Sequence, residues 1–467
     1  MQVNAEFAVV TAEFLGEEAS RRAWSVSITC MGRARCQVAG SERALTFVDQ
    51  MQIELHSPLR KFSFAGVCFV LVGLYLHLAL RAYLASHLAA TPDLSNLNKA
   101  TRLEPSNAEY RELLGRNLAL SGASLDEAIS DYRTAVHLDP YEARYWLDLA
   151  GAYQVAGRTS EQEESVEHAV EADPTTPHVA WEAANFFLVQ GDEERALRNF
   201  RVVLANDPEA VDSALQLCWR ATGDANQILD RALPPRPDLY LSFLRLLIYK
   251  QQTVAAKNVW NRLIGLNQAF STQLTFPYFR FLIAQQEVAA AQTAWQQLAV
   301  LDRSLQPYLP SGENLIVNGG FEENLLGGGF DWWYESRPHV ILAIDTSEFH
   351  SGTRSLSVTF DGQSASDAGI SQFIPVKPNT DYEFRAEFRA EELETASGPR
   401  FAIADAYSSA SYVLTDDVMG TNPWRLQQAR FQTGPNTNLV LLKIVRQPAG
   451  PLIRGKLWID DLRLVEK

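Results

Sequence analysis

Four prolines, Pro105, Pro140, Pro174 and Pro208, each close a similar phrase: RLEP, HLDP, EADP and ANDP. Their spacings are 35, 34 and 34 residues. A fixed period of that size marks an array of stacked helix pairs, because each unit can bury its apolar face only against its neighbours. Proline ends each unit by blocking helix continuation and restricting the residue before it. Between the prolines, large and small residues recur in step. One unit carries Trp146, Leu149, Ala150, Tyr153, Gly157 and Ala169, and the next carries Ala184, Phe187, Gly191, Ala196 and Phe200. The unit before them has Leu114, Gly115, Leu118, Gly122, Ala128, Tyr132 and Ala135, with one extra residue in its turn to account for the 35. Small residues let helices approach closely and the aromatics fill the gaps.

This pattern resembles the tetratricopeptide repeat family over roughly residues 94–208. The resemblance implies an α-solenoid with a concave groove for a protein partner. Beyond Pro208 the period blurs, but two more helix pairs follow, with small residues at Ala255 and Ala291 and large ones at Val259 and Trp295. These degenerate units extend the expected solenoid over residues 92–306, with LPPRP (Leu233 to Pro237) as a break. Trp146, Tyr153, Phe187 and Phe200 are expected in its core, and His137, His168 and His178 on solvated helix or turn positions.

Upstream lies FSFAGVCFVLVGLYLHLAL, Phe62 to Leu80, nineteen residues without a formal charge. At 1.5 Å per residue this spans the roughly 30 Å hydrocarbon layer. Arg60 and Lys61 abut it, Arg33, Arg35 and Arg43 lie further upstream, and after Arg81 the next cation is Lys99. That asymmetry predicts a signal-anchor over residues 62–81, single-pass in the inner (cytoplasmic) membrane, with the bulk of the chain periplasmic or extracellular. No A-x-A cleavage site closely follows. Residues 1–61 read as a poorly structured cytoplasmic tail, or in part as an over-extended start, with Met51 a possible alternative beginning.

The net charge of −15 and the lack of a dense basic run argue against a nucleic-acid partner. The four cysteines, Cys30, Cys36, Cys68 and Cys218, form no C-x-x-C pair, and only Cys218 lies beyond the apolar segment. No P-loop, H-E-x-x-H or G-x-S-x-G is present, and GGGF at Gly327–Phe330 lacks the spacing of a phosphate cradle. Glu322 and Glu323 are adjacent, so on a strand they point to opposite faces and cannot act as a glycosidase pair. The expectation is a protein that is not an enzyme.

From Asn314 the period changes. RSLSVTF, YEFRAEFRA, RFAIADAY, NLVLLKIV and KLWIDDLRL are short, mostly alternating and bounded by turn residues. Over about 150 residues they predict an all-β sandwich. Tyr382, Phe384, Ala386 and Phe388 should share one face, with Arg385, Glu387 and Arg389 on the other. NLIVNGGFEENLLGGGFDWW, Asn314 to Trp333, reads as a first strand with its exit turn. In the last strand, Asp460 shares the alternation of Trp458, Leu462 and Leu464, so it needs a hydrogen-bonding partner or a cation.

NLIVNGGFE, FDWW, HSGTRSLSV, VKPNTDYEFRAEFRA and WIDDLRL, in that order, resemble the carbohydrate-binding jelly-roll family found appended to bacterial xylanases and glucanases, within the galactose-binding-like superfold. The resemblance covers residues 312–467. It implies a structural calcium held by Gly320 (main-chain oxygen) or Glu322, Gly352 (main-chain oxygen) and Asp460, an oxygen-only set that suits calcium. The alternative is that Asp460 or Asp461 caps a turn or pairs with an arginine. It also implies sugar binding on exposed aromatics: Trp333, Tyr334, Tyr407 and Tyr412, with Arg446 as polar partner. One of Trp332 and Trp333 matches the family's core tryptophan, and Trp424 looks structural. The chain as a whole thus reads as a bacterial envelope protein in which a helical scaffold recruits a protein partner and a terminal jelly roll binds polysaccharide. Its rival is a purely structural adaptor whose sandwich binds no sugar.

Overall fold

The computed structural model describes residues 58–467 other than Pro92 and Ala123, and nearer the N-terminus the backbone of three strands. The chain divides into two compact units, Met1–Gln162 and Glu163–Lys467.

In the first unit, β1 (Ala5–Ala12), β2 (Trp24–Ala34) and β3 (Leu45–Leu55) form an antiparallel sheet in that order. The β2–β3 register runs without a break from Trp24 opposite Leu55 to Ala34 opposite Leu45. The expectation for this stretch was a poorly structured tail; β-branched runs such as Val9–Thr11 and Val26–Thr29 suit a strand better than their uneven alternation suggested. Cys36, Arg35 and Arg43 lie outside the described residues.

The apolar segment is helical, but α1 (Pro58–Ala89) continues past Leu80 and Arg81, because no proline stands between Arg81 and Pro92. The stretch Phe62–Ala89 is long and apolar enough to cross a membrane. Its apolar side chains, such as Phe69, Val70 and Tyr75, are exposed, whereas Ala85 near its end is buried with Ala100 and Tyr110.

Helices α2 (Leu94–Leu103), α3 (Ala108–Ser121), α4 (Leu125–Leu138) and α5 (Ala143–Val155) follow, and α6 (Thr159–Ala172) begins. Asn107 caps α3 and Ser124 caps α4 by accepting backbone N–H bonds. Leu114, Leu118, Ala128, Tyr132, Ala135, Leu149 and Tyr153 share one core, as their spacing predicts. Trp146 does not sit fully inside it. On α5 the buried stripe is Tyr145, Leu149, Ala152 and Tyr153, and Trp146 flanks this stripe half-buried, its Nε1 donating to the Pro140 carbonyl at 2.9 Å.

In the second unit, α7 (Pro177–Gln190) and α8 (Glu193–Asn206) form the next pair, with Ala184, Phe187, Ala196 and Phe200 buried. Each ruler proline stands two residues past a helix end, at Leu103, Leu138, Ala172 or Asn206. The extra residue of the first repeat lies between α3 and α4, whose ends are one residue further apart than those of α7 and α8. Then come α9 (Val211–Thr222), α10 (Ala225–Gln227) running into a π-helical turn at Ile228–Ala232, α11 (Pro237–Tyr249), α12 (Thr253–Gly265), α13 (Phe276–Ala284) and α14 (Val288–Leu301). The LPPRP break falls where expected, with Pro237 opening α11. On α12 the buried small residue is Ala256, one place on from Ala255, because the stripe is Ala256, Val259, Trp260 and Leu263.

The C-terminal part is a β-sandwich of two five-stranded antiparallel sheets. It comprises β4 (Trp333–Tyr334), β5 (Val340–Asp345), β6 (Ser355–Ser364), β7 (Asp367–Pro375), β8 (Asp381–Thr395), β9 (Pro399–Asp405), β10 (Ser411–Leu414), β11 (Gly420–Gln432), β12 (Leu439–Arg446) and β13 (Leu452–Glu466). One sheet has the order β10-β9-β12-β7-β4 and the other β11-β8-β13-β6-β5. Tyr382, Phe384, Ala386 and Phe388 point into the shared core, with Ile374, Ile403, Val440 and Leu464.

Two expectations about this module change. Residues 314–332 make turns rather than a first strand, although Leu315 N–H donates to Leu464 and Leu462 N–H to Gly319 across to β13. Asn318 and Phe321 adopt left-handed backbone (φ 49° and 55°), which a regular strand cannot include. In β13 the alternation also slips. Asp461 (φ 51°) lies at a register shift, so Leu457, Ile459, Leu462 and Leu464 reach the core while Trp458 and Asp460 face the other way. Asp460 is buried all the same, under the turn at His350–Gly352.

Candidate functional site

The outer face of the β10-β9-β12-β7-β4 sheet is built in rows. Trp333, Ser371, Lys443 and Ala402 lie opposite one another on β4, β7, β12 and β9, and Phe373, Leu441 and Ala404 form the next row. Alternation leaves these side chains outside the core, since Ile374, Val440, Leu442 and Ile403 take the inner positions. The small side chain of Ser371 keeps the floor low, while Trp333 and Phe373 rise beside it edge to face (5.9 Å, 90°). Above this floor is a pocket of about 520 Å³, within the range of small-ligand sites.

Three of the five residues predicted to bind sugar line this pocket: Trp333, Tyr334 and Tyr407. Trp333 is half-buried, with its Nε1 donating to the Gly329 carbonyl at 2.9 Å. Tyr334 is 52% exposed at the edge of the sheet and is the freest aromatic face. Tyr407 donates its hydroxyl to the Ile283 carbonyl at 2.8 Å, and burial pushes its pKa up to about 12.

Tyr412 and Arg446 are not pocket residues. Tyr412 stacks on Phe431 (5.4 Å), accepts from Gly434 N–H and pairs with Thr437 Oγ1 at 2.5 Å, so its ring and hydroxyl are both spent on the sandwich. Arg446 is buried, and it donates to the carbonyls of Ser397, Ala365 and Pro451 and to Thr395 Oγ1. It staples three loops together. Its place on a strand next to Gln-Pro gave no sign of that burial. Trp332 is the core tryptophan, stacked on Phe321 at 5.3 Å, and Trp424 is half-buried beside His350.

Sequence reasoning missed Arg280, Glu335, Arg337, Asp367 and Lys443, which also line the pocket. Arg337 bridges Asp367 (3.0 Å) and Glu335 (3.2 Å). The outward alternation of Lys443 was a readable signal. Arg280 had none, because it comes from α13.

The four residues predicted to hold calcium do converge. Asp460 Oδ2 accepts from His350 N–H (2.8 Å) and Ser351 N–H (3.0 Å), and Oδ1 from Asp461 N–H (2.7 Å). Glu322 accepts from Thr353 N–H (2.8 Å), Thr353 Oγ1 (2.6 Å) and Arg354 N–H (3.2 Å). Gly352, at φ +68°, passes so close that a Cβ there would meet Glu322 Oε1 at 2.1 Å. Gly320 lies between the two carboxylates, where a Cβ would stand 3.7 Å from Asp460 Oδ1 and 3.9 Å from Glu322 Cγ. Burial raises the Asp460 carboxyl above its usual range, against three N–H donors that lower it. Among the described residues no lysine or arginine pairs with Asp460, so its charge is met by backbone dipoles, a setting that suits a cation. No group of three or more His, Cys, Asp or Glu among the described residues is placed to share one, so a cation there would depend on two carboxylates and main-chain oxygens.

Residues 313–451 match the model of a family described as a carbohydrate binding domain. A solved structure described as "CBM4 structure and function" is 13% identical, covering 32% of this chain and 99% of its own, with a TM-score of 0.26. The CBM22-1 xylan-binding domain from Paenibacillus barcinonensis Xyn10C is 16% identical over 34% of this chain and 96% of its own (TM-score 0.24). A MamA crystal structure is 16% identical over 32% of this chain and 85% of its own (TM-score 0.27). No curated protein matches the chain. The module over residues 313–451 is a carbohydrate binding domain of the matched family, and it follows a run of helices compatible with a repeat solenoid.

Proposed function

We propose that this chain is a non-catalytic, membrane-anchored protein of the bacterial envelope that binds carbohydrate in the pocket on the outer sheet face. The observation that carries this reading is the grouping of Trp333, Phe373 and Tyr407 around one cavity in a domain of a carbohydrate-binding family. The helix pairs, recurring at the tetratricopeptide period, serve as a scaffold for a protein partner in polysaccharide or cell-wall assembly. Glycan arrays and envelope-polysaccharide pull-downs with the full-length protein in detergent test the first part; no retention of any saccharide sinks it. A structural adaptor is the second reading, favoured by Tyr407 and Trp333 being engaged by α13. Capture of one defined protein by residues 312–467 without the helices, and of no glycan, would support that reading.

The anchor is α1, a signal-anchor in the inner membrane with the N-terminal residues cytoplasmic and the C-terminal bulk of the chain periplasmic or extracellular. Protease shaving of spheroplasts should digest the C-terminal domain, and its full protection would reverse the orientation. For the turn at His350–Arg354 we propose a structural calcium on Gly320, Glu322, Gly352 and Asp460; when bound it would supply positive charge to two carboxylates held by backbone N–H groups and the Thr353 hydroxyl. Calorimetric melting with and without chelator decides this, and an unchanged melting temperature removes the metal.

A further inference from the structure

The helical region forms part of the pocket's wall. Arg280, Ile283 and Ala284 of α13 line the same cavity as Trp333 and Lys443. Two contacts hold α13 there and a third holds α14. The Arg280 guanidinium stands 4.8 Å from the Trp333 ring centroid, Tyr407 bonds to the Ile283 carbonyl, and the GGGF loop packs Phe330 edge-on against Trp295 of α14 (6.4 Å). Trp333 is therefore not a bare sugar platform, since a cation covers its face and Phe373 meets it edge-on.

What the pocket offers instead is charge. Its charged residues are Arg280, Arg337, Lys443, Glu335 and Asp367. Arg337 is paired with both acids. Arg280 and Lys443 have no ion pair among the described residues; with Arg337 shared by two acids the lining carries a net charge of about +1, its free positive charge presented by these two side chains, in a chain whose net charge is −15. An arginine already stacked on an indole has lost most of its rotamer freedom, and the edge of its guanidinium still presents paired N–H donors that match a carboxylate. The feature of a saccharide that fits two such cations is an acidic sugar. The wall made by α13 closes one side of the sheet face, which favours a short segment or chain end over a long polymer lying across it.

We propose that α13 completes the saccharide pocket and that the pocket takes a short uronic-acid saccharide, with Arg280, held by Trp333, gripping a carboxylate and Lys443 supplying the second charge. This rests on the carbohydrate-binding reading above. Calorimetric titration of the full-length protein in detergent with trigalacturonate and with neutral galactotriose tests it. Trigalacturonate should bind more tightly by about tenfold or more, and Arg280→Gln and Lys443→Gln should each remove about that factor. Galactotriose binding should fall by much less than trigalacturonate binding in either variant. Lys443 forms no hydrogen bond or ion pair with α13 among the described residues, so Lys443→Gln tests the charge while leaving the docking contacts of Arg280 and Tyr407 in place. Equal binding of the two trimers, or unaltered trigalacturonate binding by Lys443→Gln, overturns the proposal while leaving sugar binding intact. A gain in galactotriose affinity in Arg280→Gln also overturns it, since the arginine would then be a plug on Trp333. If no trimer binds and the glycan array is also blank, the carbohydrate reading itself falls, and this inference with it.

Discussion

The docking of α13 and α14 on the sandwich can be tested at one atom. Gly329 adopts φ +63°, and a Cβ built there would lie 2.2 Å from Trp295 Cζ3 and 2.4 Å from Cη2. The indole cannot swing aside, because its Nε1 donates to the Tyr308 carbonyl at 2.9 Å and Phe279 packs edge-on against it at 5.1 Å. Gly329→Ala should therefore cost about 1–2 kcal/mol for the left-handed backbone and about 1–3 kcal/mol for overpacking. The total of about 2–5 kcal/mol falls on the loop, because Gly329 lies outside the sandwich core cluster. Hydrogen exchange read by mass spectrometry is the direct assay. Peptides covering 276–284 and 325–335 should exchange about 30- to 4000-fold faster through local opening, at tenfold per 1.4 kcal/mol. Peptides from β6 and β8 should not change. Gly312→Ala is the control, since Gly312 also has positive φ (+61°) but nothing within 4 Å of a Cβ. If Gly329→Ala exchanges no faster than Gly312→Ala at these peptides, the tight fit against Trp295 is not what holds the loop.

Two further outcomes follow from buried polar groups. Arg446→Met leaves three carbonyls and the Thr395 hydroxyl without their donor. Urea unfolding should show a loss of about 3 kcal/mol or more, with saccharide affinity unchanged, and a drop in affinity without a loss of stability would return Arg446 to the binding site. Asp331 is fully buried, with Oδ2 accepting from Leu326 N–H at 2.7 Å and no partner for Oδ1 among the described residues. Burial raises its carboxyl from 3.8 to about 7. A raised acid contributes stability that is fully present below the unfolded value and is lost as pH rises through the folded one. The wild type should therefore lose about 3 kcal/mol more between pH 5 and pH 8 than Asp331→Asn does. Equal slopes in the two melting series would refute this.

The helical run was legible because a proline two residues past each second helix leaves a mark that no packing detail can blur. The strands were legible where alternation was clean, as from Tyr382 to Ala390. What failed to show was set by single backbone residues and by distant partners. One left-handed residue, Asp461, moves Leu462 and Leu464 to the face opposite Trp458, and alternation read straight through it puts Asp460 on the wrong side. At the site, Trp333, Tyr334 and Tyr407 could be picked out as aromatics near turns. Arg446 looked equally available, because nothing local announces that three loops will close over it. Arg280 was invisible, since its role depends on Trp333, a residue far along the chain on a different kind of element.

The GGGF loop, first met as an odd run of glycines, bears on how such domains are exchanged between proteins. Here Gly328 and Gly329 lie against Phe276 and Trp295 so closely that no larger residue fits, and Tyr407 is bonded to the same helix pair. A graft that takes only the β-strands would carry bare glycines and an unused tyrosine to its new host. A graft that keeps these contacts has to carry α13 and α14 with the strands, and Trp260 of α12, which stacks on Tyr278, as well.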